Sequence, residues 1–197
     1  IVAAEMGGKN AVIVCEDARF DLALTAGILS AFKTTGQRCV SASRILVHKS
    51  LFNKYAEQFM SVASRLKFGD PLNAGNFAGP LIHQEAVEKV LRYNALAQNE
   101  AQDVILPGGK IQPVAGKEGC YLSPCVYAIH YSPNSRCLQE EVFGPHVALI
   151  PFSDDEEAAR IANATEYGLS LAVLTEDYRK MRYFREECEF GMGYVNL

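Results

Sequence analysis

Ala11-Val12-Ile13-Val14-Cys15, then Asp17, then the periodic stretch Phe20–Phe32, then Ile45-Leu46-Val47-His48: this run decides the fold. The first segment is short, apolar and rich in β-branched residues, which predicts a buried strand. In the second, Leu22, Leu24, Ile28 and Leu29 fall at helical spacing. Asp17 stands where an N-cap belongs, and Gly36 marks the far end. The third segment is a second apolar strand. Strand, helix and strand in that order make a βαβ unit, whose two strands must run parallel.

Outward from this unit the alternation continues. Ser50 opens a helix carrying Phe52, Tyr55, Phe59 and Val62 on one stripe. Phe68 to Asn76, broken by Gly69, Pro71 and Gly75, reads as a loop. A helix follows over Gln84–Gln98. Val104-Ile105-Leu106 reads as a strand closed by a turn at Pro107-Gly108-Gly109. Residues 111–145 mix short apolar runs with Gly, Pro, Ser and Asn and predict strand pieces joined by irregular backbone. Strands over Val147–Phe152, Leu169–Leu174 and Gly193–Asn196 then alternate with helices over Asp154–Asn163 and Asp177–Glu187. The expected fold class is α/β, an open, mainly parallel twisted sheet flanked by helices on both faces. The 197 residues, 49% of them hydrophobic, form one domain, 1–197.

Composition excludes several classes. The net charge of −4 and scattered basic residues argue against nucleic acid as a partner. No apolar run reaches the length of a membrane span. Ile1-Val2-Ala3-Ala4-Glu5 lacks the basic and apolar regions of a signal peptide. The chain opens without an initiator methionine and enters a motif at once, as a trimmed segment does. Six cysteines in a core-rich chain of this length read as free thiols in a reducing, cytoplasmic setting.

Three segments carry residue types that do chemistry. In Thr35-Gly36-Gln37-Arg38-Cys39 a helix ends and a cysteine follows on irregular backbone before a strand. There its sulfur and its own N–H can address one small volume, as a thiolate attacking a carbonyl requires. Read alone, Cys39 is more commonly an inert thiol. In Glu5-Met6-Gly7-Gly8-Lys9-Asn10 a carboxylate sits on a flexible turn before a strand, where it could activate water or simply be solvated. The spacing of a phosphate-binding P-loop is absent. In Glu140-Glu141-Val142-Phe143-Gly144-Pro145, carboxylates and an aromatic on a Gly-Pro turn could grip a ribose and flank a flat ring, or form a charged surface turn. Cys120, Cys125, His130 and Cys137 have the residue types of a zinc set but not its spacing, so no metal is expected. Gly191-Met192-Gly193 lacks the third glycine and the helix of a dinucleotide fingerprint. Of the four histidines, His146, directly after the Glu141–Pro145 loop, comes nearest to a functional position.

Together the three segments resemble the aldehyde dehydrogenase superfamily. Its pattern of Glu-x-Gly-Gly-Lys, Gly-Gln-x-Cys and Glu-x-Phe-Gly-Pro occurs here in order, with a step of 34 positions from Glu5 to Cys39. Asn163-Ala164-Thr165-Glu166-Tyr167-Gly168-Leu169 and Gly193-Tyr194-Val195-Asn196 resemble further family segments, so the likeness runs from Glu5 to Leu197. The one replacement, Met6 for a usual leucine, conserves volume.

The resemblance implies a catalytic domain of an NAD- or NADP-dependent enzyme that oxidises an aldehyde to a carboxylic acid. Cys39 would be the nucleophile and Glu5 the base that hydrolyses the thioester. Glu141 would hold the nicotinamide ribose, with Phe143 beside the ring. It also implies that an N-terminal cofactor-binding domain and a C-terminal tail are absent, that 1–197 alone does not turn over, and that the parent is a homodimer or homotetramer. Cys39 with Glu5 also fits a cofactor-independent cysteine esterase or thioesterase. That reaction needs a histidine base near Cys39. A non-catalytic module keeping the fold is the third possibility.

Overall fold

The computed structural model describes residues 2–111 and 119–197. Seven strands form one sheet in the order β3-β4-β5-β2-β1-β6-β7. They are β1 (Ala11–Val14), β2 (Arg44–His48), β3 (Asp103–Lys110), β4 (Leu122–Ala128), β5 (His146–Phe152), β6 (Ser170–Leu174) and β7 (Met192–Val195). Every neighbouring pair is parallel except β3 and β4. The chain returns to a parallel sheet through helices α1 (Phe20–Phe32), α2 (Lys49–Ala63), α3 (Gln84–Glu100), α4 (Arg136–Gln139), α5 (Asp155–Asn163) and α6 (Tyr178–Glu187).

The alternation of β1 divides the core. Val12 and Val14 point to one face and pack with Ala23, Ile28 and Phe32 of α1 and Tyr55 and Phe59 of α2. Ala11 and Ile13 point to the other, against residues of α3, α5 and α6 such as Val90, Ile161 and Phe184. Strands covered on both faces must be apolar throughout, as β1 is.

Two expectations are corrected. Asp17 does not cap α1, whose N-cap is Arg19 without a side-chain bond. The Asp17 carboxylate instead accepts hydrogen bonds from Thr175 Oγ1 and from the Glu176 and Asp177 N–H groups, fastening the β6–α6 turn. Pro107-Gly108-Gly109 is not a closing turn but part of β3, whose register shifts between Val104 and Leu106. β3 is an edge strand, where a proline without an N–H and an irregular register are tolerated. Strand β4 and the short α4 lie in the stretch expected to be strand pieces; residues 112–118 of that stretch lie outside the described residues.

Candidate active site

Sheet order assembles the site. Residues 7–10 lead into β1, 39–43 into β2 and 141–145 into β5. These three strands are parallel neighbours, so the three segments arrive side by side at the amino ends. Open α/β sheets generally bind ligands beyond the carboxyl ends of their strands; here the candidate residues gather at the opposite edge.

The segment leading to Cys39 is built from strained backbone. After α1, Thr34, Thr35 and Gly36 have φ of 57°, 59° and 70°. Left-handed backbone is costly for β-branched threonines and persists only where surroundings enforce it. Those surroundings are identifiable. Thr35 Oγ1 donates to the Gly79 carbonyl at 2.8 Å, and Gln37 Nε2 donates to the Pro80 carbonyl at 3.2 Å. The Gln37 side-chain oxygen, Oε1, accepts from the Ile82 N–H at 2.9 Å. Gly36 faces the Gly144 carbonyl so closely that a Cβ would be driven into it. Cys39, at the end of this turn, is the exposed member of six free cysteines; Cys15, Cys125, Cys137 and Cys188 are buried.

Asn10, buried at the entrance of β1, ties the segments together. Its amide donates to the Cys39 carbonyl at 2.7 Å and to the Ser41 carbonyl at 3.0 Å, and its oxygen accepts from the Ser170 N–H. Two residues earlier, the Gly8 N–H donates to the Glu141 carboxylate at 2.9 Å. Gly7 lies against the same carboxylate, and a Cβ there would meet it at 2.5 Å. Glu141 and the Cys39 backbone are thus joined through residues 7–10. Phe143 stands on the same loop as Glu141, 39% exposed, in left-handed backbone of φ 61°. Glu5 is exposed and, among the described residues, has no hydrogen-bond partner.

Sequence reasoning missed Asn10, Gln37 and Arg44. Arg44 is buried in β2 and donates to the carbonyls of Lys9, Ile161 and Ala162, fixing residue 9 and the end of α5. The Lys9 amine is buried with no hydrogen-bond partner, and burial aided by the Arg44 charge lowers its pKa to about 7.

Three of the four histidines have side-chain partners elsewhere. His146 is buried, bonded to Asn94 at 2.9 Å and Tyr127 at 3.1 Å, and burial lowers its pKa to about 3. His48 bonds Ser50 and Ser153, and His83 caps α3. Among the described residues no histidine bonds Cys39. No group of three or more His, Cys, Asp or Glu among them could hold a metal ion, and none of their helices is long and apolar enough to cross a membrane.

Comparison with known proteins agrees with this geometry. The model of the aldehyde dehydrogenase family matches residues 1–197. 1-Pyrroline-5-carboxylate dehydrogenase 1 of Halalkalibacterium halodurans is 36% identical over 195 residues, which are 99% of this chain and 37% of that protein. 5-Carboxymethyl-2-hydroxymuconate semialdehyde dehydrogenase of Escherichia coli is 37% identical over 196 residues, 98% of this chain and 41% of that protein. A crystal structure of betaine aldehyde dehydrogenase from Staphylococcus aureus in complex with NAD+ superposes with a TM-score of 0.91 at 32% identity, covering 98% of this chain and 38% of that one. The chain therefore spans about two fifths of the length of the relatives it matches.

Proposed function

The chain belongs to the aldehyde dehydrogenase family, and from that premise we propose that residues 1–197 are the catalytic domain of a longer NAD- or NADP-dependent enzyme oxidising an aldehyde to a carboxylic acid. The observation that carries this reading is the join at residues 7–10, where Gly8 holds Glu141 and Asn10 holds the Cys39 carbonyl. It draws a nucleophile and a cofactor-gripping carboxylate to one edge of the sheet.

In this reading the Cys39 thiolate adds to the aldehyde carbon and forms a thiohemiacetal, with its own backbone N–H facing the oxyanion. Hydride leaves that carbon and a thioester remains on Cys39. NAD(P), when bound, supplies the hydride acceptor. Glu5, solvated and unpartnered, takes a proton from the water that displaces the sulfur, so the acid departs and the thiol is restored. Glu141 and Phe143 would hold the cofactor's nicotinamide end. The Gly8 N–H donates to one carboxylate oxygen of Glu141, which leaves the other for a ribose hydroxyl, and the half-exposed Phe143 ring offers a flat face. The remaining cofactor contacts come from the rest of the longer protein, and 1–197 alone does not turn over. Six free cysteines support a reducing compartment such as the cytoplasm. Membership of the family supports a homodimer or homotetramer for the longer protein.

The names of the similar proteins divide by substrate charge. Two contain a carboxylic acid, and betaine aldehyde is a quaternary ammonium cation. The chemistry at Cys39 is common to both.

The test follows NAD(P)H absorbance in the full-length protein over a panel of aldehydes. Cys39→Ala abolishes the signal. Glu5→Gln retains a burst of about one NAD(P)H per site while steady turnover falls roughly 10²- to 10⁴-fold. Equal loss of burst and turnover would remove Glu5 from the role of base. Absence of NAD(P)H with every aldehyde and both cofactors, with Cys39 still alkylated, would overturn the dehydrogenase reading.

A further inference from the structure

Helix α3 and the residues that lead into it touch both halves of the site. Before the helix begins, residues 79–82 hold the turn that precedes Cys39: the Gly79 and Pro80 carbonyls accept from Thr35 and Gln37, and the Ile82 N–H donates to Gln37. Within the helix, one stripe meets the loop that carries Glu141 and Phe143. Val90 packs so closely under Gly144 that a Cβ there would strike Val90 Cγ2. Three positions on, the Tyr93 hydroxyl donates to the Glu140 carboxylate. The next residue, Asn94, bonds His146 at 2.9 Å. At the end of the helix the Glu100 carboxylate accepts from Ser135 Oγ at 2.5 Å and from the Cys137 N–H at 3.3 Å, which fixes α4, from which the loop departs. Positions 90, 93 and 94 share a helix face by their spacing.

The loop is thus tied to α3 at residues 140, 144 and 146, with Glu141 and Phe143 between the ties. The left-handed backbone of Phe143, at φ 61°, is the kind of strain that persists only where neighbours enforce it. Of these ties, the one from Tyr93 has no duty in charge balance. Glu140 already receives both arms of Arg136, at 2.5 and 3.1 Å. Arg136, however, lies on α4, four positions before Glu140, so that pair travels with the loop. The Tyr93 bond crosses from another element. Gly8 holds Glu141 from the side of β1, and Tyr93 holds the adjoining residue from the side of α3.

We propose that Tyr93 is a positioning residue for the cofactor: through Glu140 it fixes where Glu141 presents its carboxylate, with α3 and its lead-in as the spacer between that carboxylate and Cys39. The proposal rests on the reading of Glu141 as the group that holds the nicotinamide ribose. A carboxylate grips a hydroxyl only while distance and angle stay within narrow limits, so drift of the loop weakens the grip although Tyr93 touches no cofactor atom.

The test uses the full-length protein and follows binding of NADH and NADPH by fluorescence titration. Tyr93→Phe keeps the ring and loses only the hydroxyl, and Kd for the preferred dinucleotide is expected to rise roughly threefold to tenfold. In a Glu141→Ala background the same substitution should add less than about twofold, because the residue it acts through is gone. Glu140→Gln, which keeps an acceptor for the hydroxyl, should lose less than Tyr93→Phe. The rate of Cys39 alkylation by iodoacetamide should not change in Tyr93→Phe, since the bonds from residues 79–82 remain. A general loosening of α3 would move that rate together with Kd, and this outcome overturns the assignment. So does a wild-type Kd in Tyr93→Phe, a full additional loss in the Glu141→Ala background, or a loss in Glu140→Gln as large as in Tyr93→Phe. In each of these cases dinucleotide binding by the wild type leaves the dehydrogenase reading standing. A wild type that binds neither NADH nor NADPH overturns both.

Discussion

Asn10 shows how one uncharged side chain can fix the backbone of a distant segment. Its amide holds the Cys39 and Ser41 carbonyls and its oxygen holds the Ser170 N–H, three partners from two segments. Asn10→Ala removes all three bonds and leaves buried groups unsatisfied, which should cost about 2–4 kcal/mol. Asn10→Asp is the sharper variant. It keeps the acceptor for Ser170 but cannot donate to either carbonyl, so the Cys39 backbone loosens while β6 stays anchored. We expect a lower midpoint in urea unfolding for both variants and, in Asn10→Asp, a changed rate of Cys39 alkylation. An unchanged rate would mean that the strained turn alone sets the cysteine. Cys39 and Glu141 stood out in the sequence because thiols and carboxylates announce chemistry by type. Asn10 did not, because its partner Ser170 lies 160 positions away and is brought near only by the pairing of β1 with β6. Gln37 and Arg44 were hidden for the same reason: each bonds backbone carbonyls, which carry no mark in a sequence.

At the scale of elements, the turn between α1 and β2 carries most of the strain. Thr34 and Thr35 are left-handed in a turn that Thr35 and Gln37 bond to residues 79–82, and Gly36 adopts φ 70° against the Gly144 carbonyl. Gly36→Ala should therefore destabilise by at least about 2 kcal/mol, combining a disfavoured φ with a backbone collision that no side-chain rotation relieves. The collision partner belongs to the Glu141–Pro145 loop, so the same variant should also displace that loop. Reading Cys39 alkylation alongside thermal unfolding separates the two effects, since a purely local cost would lower the midpoint without altering the thiol. The helices of this region were legible, α1 to its limits of Phe20 and Phe32, because burial of one face imposes a period. Its end was legible only as a glycine. The left-handed threonines were not, because tertiary bonds overrode a local preference that points elsewhere. β3 presents the reverse case, a strand that continues through Pro107-Gly108-Gly109 because its place at the sheet edge leaves it free of a second partner.

For the whole molecule, the sheet's own burial sets its response to acid. His146 opens β5 at the centre of a dry polar group, bonded to Asn94 and Tyr127. Burial, with the Lys9 charge as a smaller cause, lowers its pKa from 6.5 to about 3. Between these values the unfolded chain binds a proton that the folded chain refuses. Stability therefore rises with pH across this window, is free of this penalty above 6.5, and is lost as pH falls towards 3, with a slope approaching about 1.4 kcal/mol per pH unit. Glu140 acts in the same direction lower down. Hydrogen bonds from Arg136 and Tyr93 hold its carboxyl at about 2, so its contribution is lost as pH falls from about 4.5 towards that value. The range from pH 6.5 to 4.5 therefore isolates the histidine from Glu140. In His146→Gln, whose amide can still bond Asn94 and Tyr127 but does not titrate, the dependence of urea midpoints on pH in that range should flatten by about one proton. A slope identical to wild type would show that His146 escapes to solvent before the chain unfolds, and would place the acid sensitivity outside the Asn94–His146–Tyr127 group.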